Sequence, residues 1–337
     1  MYIKSTHCIS PQHSTNDELF SGNVVQFERH LYEAIEPSYQ EIIPRNLLRR
    51  MGKAVRLGIG AALPLLKDQD VDGIVIGTGN GGLEDCIKFL NQIMKYEEGT
   101  LTPTNFVQST PNSLAGLIAL MTKTTGYNAT HVHRGAAFES ALLDAKLLVE
   151  EGAEKLLVGG FEELSDYNAN IESLGGLFKE VPVSSNELLQ SNTPGTVYGE
   201  GAAMFMIGRY QENAIAEVVD VTQISTEKTE DVMLALDAFL DKNAIIGVDE
   251  VYLGRNGDSV TNHFYNAVAK RLNTNESNFK HLCGDYPASS SFAMWLAAKH
   301  FSGKTLTLHK NRPQSILIYN HFRGQQHGFI LLKPTQA

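Results

Sequence analysis

A short apolar run that ends in glycine and leads straight into a helical stretch recurs along this chain, and it limits the possible folds more than any other feature. Asp72 to Gly77 (DGIVIG) runs into the turn TGNGGLED, after which a helical pattern continues to about Met94. Thr130 to His133 is short and β-prone and opens onto a long helical stretch, Ala136 to Glu151. Lys155 to Val158 is a further strand, closed by Gly159 and Gly160. Apolar runs of this length suit strands buried on both faces, and the order strand, turn, helix, strand places successive strands side by side in parallel. The pattern predicts an α/β protein with helices on both faces of a mainly parallel sheet.

The second half of the chain repeats the first. DEVYLG (Asp249 to Gly254) followed by RNGD echoes DGIVIG followed by TGNG. SILIY (Ser315 to Tyr319) followed by NHFRG echoes EKLLV followed by GGFEE, and GFILL (Gly328 to Leu332) echoes AAMFMI (Ala202 to Ile207). Three pairs in the same order predict two related halves, residues 1–210 and 211–337, joined near GRYQENA (Gly208 to Ala214). The Ser- and Asn-rich stretch Pro182 to Gly195 reads as a loop.

Charge and cysteine usage narrow the function. A net charge of −10 argues against a broad phosphate-backbone footprint, so no nucleic-acid partner is expected. No apolar run approaches a membrane span, and MYIKSTHCIS carries no signal-peptide apolar region, so the expected location is cytoplasmic. Three widely spaced cysteines (Cys8, Cys86, Cys283) without a CxxC pattern point to a reducing compartment and against a zinc site. No cofactor-binding motif stands out. Whether one of the three thiols is a nucleophile decides the chemistry.

The stretch GYNATHVHRGAAFESALLDAKLLVEEGAEKLLVGGFEELS (Gly126 to Ser165) resembles the nucleophile region of the β-ketoacyl synthases of the thiolase superfamily. TGNGGLED resembles that family's early Gly-Gly turn, STPNSLAG (Ser109 to Gly116) its Asn-x-x-Ala-Gly helix start, and YGEGAAMFMI (Tyr198 to Ile207) its Gly-Glu-Gly-Ala strand. NFKHLCGD (Asn278 to Asp285) resembles the Lys-x-x-x-Gly-His segment, and NHFRG (Asn320 to Gly324) the C-terminal Asn-x-Phe-Gly loop. The resemblance implies a thiolase-like fold, two βαβαβαββ halves in a five-layered αβαβα arrangement. It also implies a site at which the nucleophilic Cys position holds Arg134, the two His positions hold Asn256 and Asp285, and the family's lysine survives as Lys280. Phe322 and Gly324 belong to the loop near the pocket, where RGQQ stands in place of the family's GFGG.

A guanidinium stays protonated and cannot attack a thioester. The resemblance therefore implies a non-catalytic subunit of the chain-length-factor kind, paired with an active β-ketoacyl synthase or with itself, and served by an acyl carrier protein. Arg134 at a helix start wants an anion, and Asp285 is the expected partner. Two alternatives stay open: an acyltransferase using Cys283 as a non-standard nucleophile, and a scaffold that only reuses the fold. The remaining candidates have plainer readings. Cys86 reads as a buried structural thiol, His131 and His133 as interface or core residues without a third metal ligand, and Glu162 and Glu163 as neighbours pointing apart on a strand end. Arg45, Arg49, Arg50, Lys53 and Arg56 fall at helical spacing beside Leu48, Met51, Val55 and Ile59. That basic face is either solvated surface or a docking site for an acidic carrier protein.

Overall fold

The structure, a computed structural model, describes residues 1–306 and 312–335. The apolar runs become strands. In the first half these are β1 (Tyr2–Ile9), β2 (Gly73–Thr78), β3 (Tyr127–Val132), β4 (Lys155–Glu162) and β5 (Gly201–Gly208). The second half supplies β6 (Ala216–Ser225), β7 (Glu250–Leu253), β8 (Asn275–Asn278), β9 (Ile316–Phe322) and β10 (Gln326–Pro334). All ten join one sheet in the order β8-β7-β9-β10-β6-β1-β5-β4-β2-β3. Counted within its own half, each set of five strands has the same order, so the sequence echoes correspond to equivalent places in the sheet. The half-sheets meet where β1 pairs antiparallel with β6, at Tyr2↔Glu217 and Ile3↔Ala216.

Pairing is mixed rather than mainly parallel. β2 runs parallel to β3 and β4, and β7 parallel to β8 and β9, whereas β4–β5, β1–β5, β9–β10 and β10–β6 are antiparallel. The cause at β9–β10 is the connection, since the residues between Phe322 and Gln326 allow a hairpin but no crossover. Two strands also run further than their apolar cores suggest. β4 continues through Gly159 and Gly160 to Glu162, and β9 continues through Asn320 to Phe322.

Five layers follow from which helix faces which sheet. Helices α1 (Lys53–Leu66) and α3 (Ser113–Thr122) cover the outer face of the first half-sheet, with Ile59, Leu114 and Ile118 buried against Ile74, Ile76 and Met204. Helix α2 (Leu83–Lys95) follows the glycine turn after β2. Helix α4 (Ala137–Glu151) and a helix near the C-terminus (Ser290–Phe301) each touch both half-sheets and lie between them. Helix α5 (Asp166–Leu174) follows β4. Helices α6 (Thr229–Lys242) and α7 (Asn262–Leu272) cover the outer face of the second half-sheet, and the central Ser290–Phe301 helix is α8.

The basic face is not one helix. Arg45–Leu48 is a single short turn, and Gly52 caps α1 from outside, so the helical spacing is broken between Arg49 and Gly52. Of the five cations, Arg56 makes a two-pronged pair with Glu36 at 2.6 and 2.7 Å, and Lys53 reaches Glu200 at 2.7 Å and the Leu164 carbonyl at 3.2 Å. Arg45, Arg49 and Arg50 stay exposed. Lys53 and Arg56 therefore hold the interior together and are corrected out of the surface patch.

Close backbone approach fixes where α4 starts. A Cβ on Gly77 would stand 2.4 Å from the Ala137 carbonyl oxygen and 2.7 Å from the Phe138 nitrogen, both main-chain atoms that cannot step aside. Gly77→Ala is expected to cost about 3 kcal/mol or more in chemical denaturation. Gly247→Ala, whose Cβ meets nothing within 4 Å, is expected to change stability by less than about 1 kcal/mol.

Candidate active-site region

The elbow between β3 and α4 is built from His133, Arg134 and Gly135. Arg134 lies in the left-handed region at φ 47°, an uncommon conformation for a residue with a side chain. What holds it there comes from the other half of the molecule. The Gln326 side chain accepts from the Gly135 N–H at 2.9 Å and donates to the His133 carbonyl at 3.3 Å. Gly135 is obligatory, because a Cβ there would fall 2.0 Å from the Phe322 Cβ. The loop residue Phe322 thus packs directly on the elbow.

Asn256, Lys280 and Asp285 are brought together and buried. Lys280 Nζ sits 2.7 Å from Asp285 Oδ1 and donates to the His321 carbonyl at 3.0 Å. Asn256 Nδ2 donates to Asp285 Oδ2 at 2.7 Å, while its Oδ1 accepts from the Asp258 N–H at 3.2 Å and its carbonyl from Thr196 Oγ1 at 2.8 Å. Gly324, at φ 63°, donates to His321 Nδ1 at 3.3 Å and closes the same loop. The expected Arg134–Asp285 pair does not form. Lys280, five residues from Asp285, reaches the carboxylate from inside, whereas Arg134 is exposed and has no side-chain partner among the described residues.

Neither deeply buried thiol offers a nucleophile. Cys283 is fully enclosed and burial pushes its pKa well above the usual thiol range; Cys8 is pushed up to about 12 by the same cause. Cys86 is only partly buried, which corrects its reading as a buried thiol. His131 pairs with Asp144 at 2.8 Å and His133 with Ser140 at 3.1 Å, and no group of three metal-ligating side chains occurs among the described residues.

Glu162 and Glu163 do point apart. Glu162 accepts from Thr78 Oγ1 at 3.0 Å and from the Gly79 N–H. Glu163 accepts from the Ala54 N–H at 3.1 Å and the Glu84 N–H at 2.9 Å, which places one carboxylate at the starts of α1 and α2 together. Desolvation raises Glu162 to about 8 and Glu163 to about 7, more than these donors can offset. Glu139, enclosed within α4 near Ser290 and Lys280, is raised by burial to about 7.

Glu139, Arg323 and Gln326 are the site residues that the sequence reading did not single out. Arg323 and Gln326 nonetheless lie within RGQQ, the segment that departs from the family loop. For Glu139 the signal was a lone carboxylate in the small-residue run GAAFESA.

A doubly repeated α/β fold, two helices between its half-sheets and an elbow at the start of one of them are the features of the thiolase-like fold. The β-ketoacyl synthase N-terminal domain model matches residues 26–199, and the chain belongs to the β-ketoacyl synthase family. No curated protein matches the chain. Similar solved structures include the ishigamide ketosynthase/chain length factor, at 18% identity and TM-score 0.78 over 99% of both chains. A β-ketoacyl synthase from Burkholderia phymatum is 16% identical with TM-score 0.80, again over 99% of both chains. The structure of the ketosynthase ApeO in complex with its chain length factor ApeC, from Xenorhabdus doucetiae, gives 16% identity and TM-score 0.76 over 99% of this chain and 97% of that one.

Two predictions follow from the buried charges. Lys280→Met leaves the Asp285 carboxylate buried beside Asn256 alone and should destabilise the fold by about 3–5 kcal/mol in urea denaturation. Adding Asp285→Leu should recover a large part of that loss.

The raised carboxylates bind protons more tightly folded than unfolded, so stability falls as pH rises from their ordinary value of 4.5 through about 7 to 8. His281 and His327, lowered to about 4 by burial, act oppositely, but only up to the ordinary value of 6.5. Stability should therefore drop between pH 6.5 and 8, on the order of 2 kcal/mol. Glu162→Gln should remove about half of that drop. The wild-type-to-variant difference isolates Glu162 from the amino terminus, whose lowered pKa works in the opposite sense.

Proposed function

We propose that this chain is a non-catalytic ketosynthase-fold subunit of the chain-length-factor kind, acting beside an active β-ketoacyl synthase in fatty-acid- or polyketide-type chain assembly. The observation that carries the reading is Arg134 at the elbow, the position that the family resemblance assigns to the nucleophile, with no sulfur in its place. Asn256 and Asp285, at the positions assigned to the histidines, are tied to each other and to Lys280. The enclosed, high-pKa Cys283 argues against the alternative acyltransferase nucleophile. In this reading residues 1–210 and 211–337 are the two thiolase-like halves of one subunit, and three unpaired cysteines suit a cytoplasmic location.

Partner contact is supported at β3. That strand ends the sheet with one edge unpaired among the described residues, and exposed Val132 and Tyr127 lie on it. Beside it, exposed Leu120 of α3 and exposed Val107 share an apolar cleft of about 450 Å³. A second ketosynthase-fold subunit, active or identical, is the occupant proposed for this face. Arg45, Arg49 and Arg50 remain as the surface on which an acidic acyl carrier protein would dock.

Co-expression with an active β-ketoacyl synthase from the same gene neighbourhood should yield a 1:1 complex on size-exclusion chromatography. Condensation of carrier-bound acyl groups should require the complex and be absent from this chain alone. Failure to co-purify would sink the heterodimer, and acylation of Cys283 by the isolated chain would sink the non-catalytic assignment. Within the complex, Arg45→Glu with Arg49→Glu should weaken carrier-protein binding by about tenfold at low salt and leave assembly intact.

A further inference from the structure

Between Glu98 and Glu139 the chain has no carboxylate and only two formal charges, Lys123 and Arg134, although 20% of all its residues are charged. This stretch supplies the short helix Pro103–Gln108, helix α3 and the edge strand β3. It also provides most of the apolar cleft, from Pro103 to Leu120. Depletion of charge is the compositional mark of an interface centre rather than of ordinary surface. β3 itself, YNATHV, has none of the usual guards of a free edge, neither Lys nor Pro nor an acid. The other edge of the sheet, β8, carries Glu276.

The two cations stand at opposite ends of β3. Lys123 lies four residues before Tyr127, and Arg134 two residues after Val132. Both are exposed, and neither has a carboxylate partner among the described residues. The main chain near each is anchored. The Tyr127 N–H donates to the Asp72 carbonyl at 3.0 Å, and Gln326 holds the backbone on both sides of Arg134, at 2.9 and 3.3 Å. Asp144 of α4 does reach β3, but Tyr127 and His131 already take its carboxylate, at 3.0 and 2.8 Å.

Symmetry limits what can cover such an edge. Two copies of one edge strand related by a two-fold axis pair antiparallel. The start of β3 in one copy then lies beside its end in the other, so Lys123 approaches Arg134 of the second copy, and does so twice. With β3 fully overlapped, Arg134 stands opposite Thr125, two residues from Lys123 and roughly 7 Å from it along the strand. Like charges at that spacing, inside the Debye length at moderate salt, oppose the pairing.

We infer that this face selects a different chain over a second copy of itself: a ketosynthase-fold partner whose own edge strand carries Asp or Glu near both ends, facing Arg134 and Lys123. The fold of that partner rests on the reading proposed above, whereas the exclusion of a copy rests on this chain's own charges. Lys123 and Arg134 are the specificity-determining residues of the interface, attractive toward an acidic partner and repulsive toward self.

The first test is sedimentation equilibrium of the full-length chain alone, in which the wild type should self-associate weakly. Arg134→Glu, or Lys123→Glu, turns both symmetric contacts into opposite-charge pairs and should tighten self-association by about tenfold at low salt. The double variant restores like charges and should return to wild-type behaviour. At about 1 M salt the gain of each single variant should vanish. Circular dichroism checks that every variant is folded. Toward the co-expressed β-ketoacyl synthase each single reversal should instead weaken the complex by about tenfold. No complex with the synthase, alongside the expected charge swap, would strike the partner's fold and leave the exclusion of self standing. Single variants that self-associate no more tightly than the wild type would overturn the inference, as would a tight wild-type dimer that Val132→Lys dissolves.

Discussion

Everything in this molecule is arranged around a helix that has no outside. Along α8, Ser290–Phe301, every residue except Lys299 is buried. A helix enclosed on all sides cannot use amphipathic patterning to choose its neighbours. Size and shape do the choosing instead: Gly160 on β4 meets Ser291 and Ala288, and larger Phe292 and Trp295 fill the gap beside them. Two half-sheets are needed to enclose such a helix, which is why the chain carries the same five-strand pattern twice. The neighbouring helix α4 packs its buried face between the same half-sheets, and its N-terminal elbow inherits its position from that packing.

The sequence was most legible where burial dictates composition. Runs such as GIVIG, LLVGG and ILIY fell in strands because a strand covered on both faces has no place for polar residues. Strand β8, with sequence NESN, was not legible, since an edge strand with solvent on one side needs only its backbone to pair with β7. The five-cation face was misread for a related reason. Helical spacing describes side chains on one continuous helix, and Gly52 ends that continuity.

At the site, alignment to a family could name positions but not partners. Arg134 and Asp285 were expected to meet because each replaces a group that meets in the family. Asp285 instead found Lys280, whose side chain is already buried next to it, so no desolvated charge was left over for Arg134 to answer. Gln326 was beyond reach of the sequence because its contribution is a pair of hydrogen bonds to main-chain atoms, which leave no trace in residue type. Only the departure of RGQQ from the family loop marked the place.

The elbow also carries a consequence for how the chain matures. Its conformation depends on Phe322 and Gln326, and the Gly135–Gln326 bond spans 191 residues. During synthesis the first half emerges with β3 and α4 complete in sequence but without the groups that fix the turn between them. Until the closing hairpin docks, Gly135 keeps an unanswered N–H, and the left-handed turn at Arg134 lacks the Gln326 clamp that enforces it. The nascent first half is therefore a waiting state, and arrival of the last hairpin is the step that commits both halves at once.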